Sequence, residues 1–387
     1  MKLLIIADDL TGAMDTAVQF AQKGADTAAM LRLKEAAPEC DVLSVNAEVR
    51  HLTPSEAYKQ ISGILAQYPQ CDKIYLKTDS VLRGNNSAAF AALLESGRNP
   101  VMFVPAYPKA GRTTKMGIQH VGEIPLEESS FAKDPLNPMK TGSIAELLNN
   151  SHNVPCSFVP FGGNAAVNGV TVFDCETQEQ LFKIADMLAE CDLLSVTAGC
   201  AGFAEALSQN FASEKKTVFK PDSSPVLFLS GSANQATFEQ LAYAKANGIE
   251  LVVIPQELKL ATAPDLTGFI AELAAVMSKG QSVILATAAS PEDLVPLPQE
   301  AHAGIQSLFA NVASAFAHKL CNLAIFGGDT AMAVFEKLGI SVVKLISEIQ
   351  TGVPLCKAGD LSLVTKSGGL GEIDAAVKIE KYMRYGS

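Results

Sequence analysis

Two adjacent carboxylates, Asp8-Asp9, follow the apolar run Leu3-Leu4-Ile5-Ile6-Ala7 and precede Leu10-Thr11-Gly12. A strand that ends in acids and turns straight into a helix sets them at the carboxyl edge of a sheet, where α/β proteins bind small polar ligands. Asp9 can equally cap the helix expected over 13–23, with Gly24 as its stop, and the residues alone leave both roles open. A second group comprises Lys77, Asp79 and Arg83 around Ser80-Val81-Leu82, with Gly84-Asn85 following, again after an apolar run. Arg50 stands behind a third run. Guanidinium forks and short polar side chains suit an anionic ligand with hydroxyls. The alternative for either arginine is an ion pair with one of the 41 acidic residues.

Further along, three turns rich in small residues each follow an apolar run: Ser230-Gly231-Ser232, Gly327-Gly328-Asp329-Thr330, and Lys366-Ser367-Gly368-Gly369-Leu370-Gly371. Small residues let backbone N–H groups approach an anion, and a helix N-terminus adds its dipole, so each turn could cradle phosphate. Glycine required only by a positive φ is the competing explanation. No Gly-x-x-x-x-Gly-Lys-Ser/Thr and no Gly-x-Gly-x-x-Gly occurs, which excludes an ordinary P-loop or dinucleotide fingerprint.

The elements that must hold these residues follow a βαβ rhythm. Strand-like runs at 43–46, 73–77, 101–105, 170–173 and 193–197 alternate with helical patterns at 55–68, 87–96 and 177–191. The segment 123–153, with Asp134-Pro135-Leu136-Asn137-Pro138, breaks the rhythm and reads as a long insertion or lid. A composition shift from Ser213-Glu214-Lys215-Lys216 to Pro225 reads as a linker, after which strands restart at 226–229, 251–254, 282–286, 322–326 and 361–365. The expected fold is α/β with two domains, 1–220 and 221–387, each a largely parallel sheet flanked by helices, with a cleft between them.

A chain of 387 residues is long enough for two cores. A net charge of −11 argues against nucleic acid and membrane surfaces as partners, while the basic residues Lys77, Arg83, Lys109, Arg112 and Lys115 leave room for a small anion. The first apolar run is too short for a signal peptide, and no apolar stretch reaches the ~20 residues of a membrane span. Eight scattered cysteines without a Cys-x-x-Cys pair fit reduced thiols in a cytoplasmic protein.

The motifs 6–12 with Asp15, 77–85, Pro105-Ala106-Tyr107-Pro108, Gly111-Arg112-Thr113-Thr114, 134–138, 327–330 and 366–369 run in order along the chain, which resembles the four-carbon acid sugar kinases. The resemblance implies a two-domain ATP-dependent kinase of threonate, erythronate or 3-oxo-tetronate that phosphorylates the terminal hydroxyl. By position it implies acid-sugar contacts from Asp8, Asp9, Arg50, Lys77, Asp79, Ser80, Val81, Leu82, Arg83, Gly84 and Asn85. It likewise implies ATP contacts from Ser230, Gly231, Ser232, Gly327, Gly328, Asp329, Thr330, Gly368 and Gly369. Leu370 departs from the family pattern, in which Phe follows a Gly-Asn pair. The stretch 109–114 looks most like members acting on D-threonate, and the resemblance leaves room for a homo-oligomer.

Phosphoryl transfer needs an in-line acceptor, charge neutralisation and a group that takes the hydroxyl proton. Asp9 is the first candidate for that proton, Asp79 the second and Asp8 the third. Mg2+ is expected with ATP, although no residue set names its ligands; Asp329 could hold it through water or merely cap the helix expected from Ala331. The rivals are a sensor that binds acid sugar and nucleotide without turnover, and a nicotinamide-dependent dehydrogenase, against which the missing fingerprint counts.

Overall fold

The computed structural model describes residues 1–33, 36–133, 137–165, 168–211, 218–261, 264–294 and 299–386. Asp134, Pro135 and Leu136 of the insertion, and Ser213 to Lys216 of the expected linker, lie outside the described residues. The chain divides into two compact units, Met1–Lys216 and Thr217–Ser387.

The first unit contains β1 (Leu3–Ala7), α1 (Leu10–Ala21), β2 (Thr27–Met30), β3 (Val42–Asn46), α2 (Pro54–Gln67), β4 (Ile74–Lys77), α3 (Asn86–Glu95) and β5 (Val101–Val104). It continues through β6 (Arg112–Lys115), β7 (Ile118–Val121), β8 (Ile124–Pro125), α4 (Ile144–Leu148), β9 (Cys156–Val159), β10 (Val170–Phe173), α5 (Gln178–Glu190), β11 (Val196–Gly199) and α6 (Ala201–Ser208). The main strands lie in the order β2-β3-β1-β4-β11-β5-β10-β9, every recorded pair being parallel. From β1 the chain builds first to one side (β2, β3) and then to the other (β4). That reversal leaves a crevice at the carboxyl ends of β1, β3 and β4. All five residues of β1 are buried, as expected of a strand covered on both faces.

Local chemistry explains where the helices begin. Asp9 caps α1, its side chain accepting from the Gly12 N–H, and Thr53 with Glu56 forms a capping box ahead of Pro54 in α2. The strand expected over 193–197 begins only at Val196. Leu193 instead closes the end of α5, its N–H donating to the Leu188 carbonyl, so an apolar residue there serves the helix end. The 123–153 insertion extends an antiparallel β6-β7-β8 sheet and carries α4.

The second unit contains β12 (Val226–Ser230), α7 (Gln235–Ala246), β13 (Glu250–Val253), α8 (Gln256–Leu260), α9 (Thr267–Met277), β14 (Val283–Ala286), α10 (Gln299–Phe316), β15 (Asn322–Phe326), α11 (Gly328–Leu338), β16 (Val342–Gln350), β17 (Val353–Ala358), β18 (Leu361–Lys366) and α12 (Ala375–Tyr385). Its strands follow the order β13-β14-β12-β15-β18-β17-β16. The first five are parallel, and β18, β17 and β16 are antiparallel neighbours. Here the order reverses between β12 and β15, so the three small-residue turns leave β12, β15 and β18 at one sheet edge. α11 starts at Gly328 rather than Ala331. Its cap is Gly327, at φ 116°, and makes no side-chain cap bond; Asp329 therefore sits inside the first turn and does not cap the helix.

Candidate active site

In the first unit, Arg50 sits among three carboxylates. Its Nε and Nη2 each lie 2.7 Å from Asp8 Oδ2, Nη1 lies 2.6 Å from Asp9 Oδ2, and Nη2 lies 3.4 Å from Asp79 Oδ2. Asp8 and Asp9 come from the end of β1, Arg50 from beyond β3 and Asp79 from beyond β4, so the parallel register brings distant sequence positions to one point. Arg83 forks Asp79, with Nε 3.0 Å from Oδ1 and Nη2 2.9 Å from Oδ2. The ion-pair alternative for these arginines thus holds, but inside the crevice rather than on the surface.

Asp79 also organises its own loop, its Oδ1 accepting from the N–H groups of Val81 and Arg83. Val81 and Leu82 are buried, and Leu82 adopts φ 60°. Gly84, at φ 91°, lets the loop pass Arg50: a Cβ there would lie 3.3 Å from Arg50 Cγ and 3.4 Å from its Cα. Asn85 Nδ2 donates to the carbonyls of Val49 and Leu52, tying this loop to the Arg50 segment. The Ser80 carbonyl accepts from Gln119 Nε2 at 3.0 Å.

Asp9 combines both roles left open above. Its Oδ1 caps α1 at 2.7 Å from the Gly12 nitrogen, while Oδ2 takes Arg50 and the Thr11 hydroxyl. Lys77 comes up against Gly12, where a Cβ would lie 2.6 Å from Nζ and 2.7 Å from Asp9 Oδ1; only glycine leaves that space. Burial pulls the Lys77 pKa down, but Asp15, Asp8, Asp9 and Asp79 raise it above its ordinary value.

The neighbouring carboxylates are driven in opposite directions. Burial is the largest influence on Asp8 and raises it against the pull of Arg50, and its Oδ1 is buried with no hydrogen-bond partner among the described residues. Burial would also raise Asp9, but Arg50, Lys77 and the Gly12 N–H outweigh it and hold that acid below the ordinary range. At Asp79 the same contest, with Arg50 and Arg83 against burial, holds the acid far below it.

A cavity of about 610 Å3 adjoins this cluster, lined by Arg50, His51, Leu82, Asn85, Asn137 and Lys140 among others. That volume suits a small ligand. Lys140 was not marked by the sequence, nor was Phe131, whose ring centre lies 5.7 Å from the Arg83 guanidinium carbon and 5.5 Å from that of Arg112. Of the basic residues, Lys109 and Lys115 instead pair with Glu205 and Glu176 away from the cluster.

In the second unit the three turns interlock. A Cβ on Gly231 would lie 2.1 Å from Thr330 Oγ1, and one on Gly368 would lie 2.3 Å from Ser232 Oγ. Gly327 lies in ordinary contact range of the same turns: a Cβ there would lie 3.5 Å from Thr330 Oγ1 and 3.7 Å from the Ser232 nitrogen. Ser232 Oγ is 3.0 Å from Thr237 Oγ1, which lies 3.0 Å from the Gly368 carbonyl. Ser230 is fully buried, and its hydroxyl has no hydrogen-bond partner among the described residues. Small side chains therefore bring Ser230 to Ser232, Gly327 to Thr330 and Gly368-Gly369 onto one edge, with the first-turn N–H groups of α11 beside them. Among the described residues no group of three or more His, Cys, Asp or Glu could hold a metal ion, and no helix is long and apolar enough to cross a membrane.

Residues 3–207 match a family model described as a sugar-binding N-terminal domain, and 227–376 match a nucleotide-binding C-terminal domain. A D-threonate kinase of Salmonella typhimurium is 30% identical, the match covering 96% of each chain. The chain belongs to the four-carbon acid sugar kinase family. Similarity within that family extends to a 3-oxo-tetronate kinase of Methylobacterium radiotolerans, 27% identical with 97% of each chain covered. The four-carbon acid sugar kinase chain also shares its fold with a crystal structure of a Haemophilus influenzae protein, at 22% identity and TM-score 0.78, covering 98% of this chain and 100% of that one.

Proposed function

We propose that the chain transfers the γ-phosphoryl group of ATP to the terminal (C4) hydroxyl of a four-carbon sugar acid, D-threonate in preference to D-erythronate or 3-oxo-tetronate. The observation that carries this reading is the meeting of three small-residue turns at one sheet edge of the second unit, in a chain whose first unit gathers a buried carboxylate–arginine cluster beside a small-ligand cavity. The kinase names of its relatives support it, and the D-threonate kinase match supports the choice of acid.

In this reading residues 1–220 bind the acid sugar and residues 221–387 bind ATP. The hydroxyl oxygen attacks the γ-phosphorus, the bond to the β-phosphate oxygen breaks, and a carboxylate accepts the proton. Asp8 is assigned that step, ahead of Asp9 and Asp79, because a raised pKa and an unpartnered oxygen suit a proton acceptor. Asp9 and Asp79, held low, keep Arg50, Arg83 and the 79–85 loop in place. Arg50 spends its fork on Asp8 and Asp9 and Arg83 forks Asp79, which leaves Lys140, in the cavity lining, for the acid's carboxylate. Mg2+ would be held by the nucleotide's phosphates with Asp329 as its protein carboxylate, and would neutralise charge on them.

A coupled ADP-release assay with D-threonate, D-erythronate and a 3-oxo-tetronate tests the reading. Turnover fastest on D-threonate is the expected result. ADP binding by calorimetry without turnover on any acid would replace the kinase with a sensor.

A further inference from the structure

Lys366, the last residue of β18, is 1% exposed and makes no ion pair among the described residues. Its ammonium donates instead to three carbonyls of the turn that follows, those of Ser367 at 3.0 Å, Gly368 at 3.3 Å and Leu370 at 3.0 Å. An ammonium has three N–H groups, so its donors are matched by main-chain acceptors of this one turn. Its other close neighbour is the Phe326 ring, 4.8 Å from Nζ to the centroid. Thr237 and Gln240 of α7 add bonds to the carbonyls of Gly368, Leu370 and Gly371.

With its carbonyls drawn inward, the turn presents the N–H groups of Gly368 and Gly369, which donate to no acceptor among the described residues. A buried cation without a counter-charge, behind amides without acceptors, is an arrangement completed by an anion. We propose that Lys366 is a positioning residue for nucleotide phosphate: it holds the carbonyls of 367–370 inward, aims the turn's amides at a di- or triphosphate, and supplies positive charge from behind without touching the ligand. This deepens, and rests on, the reading of the second unit as the nucleotide site. Burial pushes the Lys366 pKa down to about 7, and no charged side chain among the described residues, on α7, α11, β15, β17 or the turn, offsets it. An anion seated on the turn raises it again, so binding takes up a proton.

The test is calorimetric titration of ADP into the full chain at pH 8 and pH 5.5, each in two buffers of different ionisation enthalpy. The wild type is expected to take up close to one proton per ADP at pH 8 and far less at pH 5.5. Lys366→Met, which keeps the stem but removes the charge, is expected to bind ADP about 10- to 100-fold more weakly, with acid-sugar affinity unchanged. Lys366→Arg restores most of the affinity and abolishes the uptake. Wild-type ADP binding without proton uptake at pH 8, or folded Lys366→Met with wild-type affinity, overturns the proposal while leaving the nucleotide site standing. Folded wild type that binds no ADP overturns both. If Lys366→Met does not fold, the wild-type and Lys366→Arg uptakes decide alone.

Discussion

Asp8 and Asp9 are neighbours in sequence with opposite electrostatics. Asp9 is spent: one oxygen caps a helix and the other takes Arg50 and Thr11, whereas Asp8 keeps a buried oxygen with no hydrogen-bond partner among the described residues. Burial raises the first acid, and Arg50 with Lys77 and Gly12 lowers the second against it. Asp8→Asn is therefore expected to lower kcat by about 10²–10⁴-fold and to remove the acid limb of the kcat/KM profile. Asp9→Asn, which keeps a good capping side chain, is expected to raise the acid sugar's KM more than it lowers kcat. Steady-state kinetics across pH, with circular dichroism to show folding, distinguish them; near-normal kcat in Asp8→Asn beside a large loss in Asp9→Asn would move the proton acceptor to Asp9. The sequence marked both aspartates because a strand running into a helix does so by composition. It ranked Asp9 first and Asp8 last for the proton, whereas the order proposed above depends on burial and on an arginine 42 residues from Asp8.

At the scale of elements, the second unit's site depends on how closely the turn after β12 meets the first turn of α11. Gly231 leaves no room for a side chain: a Cβ would lie 2.1 Å from Thr330 Oγ1 and 3.3 Å from its Cβ. Gly231→Ala must turn Thr330 aside and shift the α11 amides, at an overpacking cost of roughly 1–3 kcal/mol. The expected result is a rise in the KM for ATP of about tenfold or more with the acid-sugar KM unchanged; an equal rise in both, in folded protein, would put Gly231 outside the nucleotide site. The three turns were legible because small residues after apolar runs carry a local signal. The β6-β7 sheet was not. It is pinned by buried Gln119, which donates to the carbonyls of Ser80 and Pro105 and accepts from Thr114, partners that sequence spacing does not associate with it.

For the whole molecule, the buried cluster makes stability depend on acid pH. Asp9 and Asp79 have folded pKa values below the unfolded value of 3.8, so their contribution is present above that pH and is lost as pH falls through the folded values. Asp8 has the opposite sign: its folded pKa is raised, so its contribution is present at low pH and is lost as pH rises through that value. Below pH 3.8 Asp8 is protonated in both the folded and the unfolded state and its contribution no longer changes, so there the two lowered acids set the slope. The wild type's stability to denaturant is therefore expected to fall as pH drops from 3.8 to about 2, and Asp79→Asn, weaker at pH 7, is expected to show a shallower slope over that range; equal slopes would remove Asp79 as a source of acid sensitivity. What the sequence determined by itself was the α/β class, the runs that become β1, β4, β12 and β15, and the turns that follow them, because periodicity and small residues act within a few positions. Only the tertiary structure decided that Arg50 answers aspartates from two other strand ends, that Asp8 and Asp9 diverge, and that Lys366 faces carbonyls rather than solvent. Those outcomes follow from burial and from distances across parallel strands, and neither is encoded in the separation of residues along the chain.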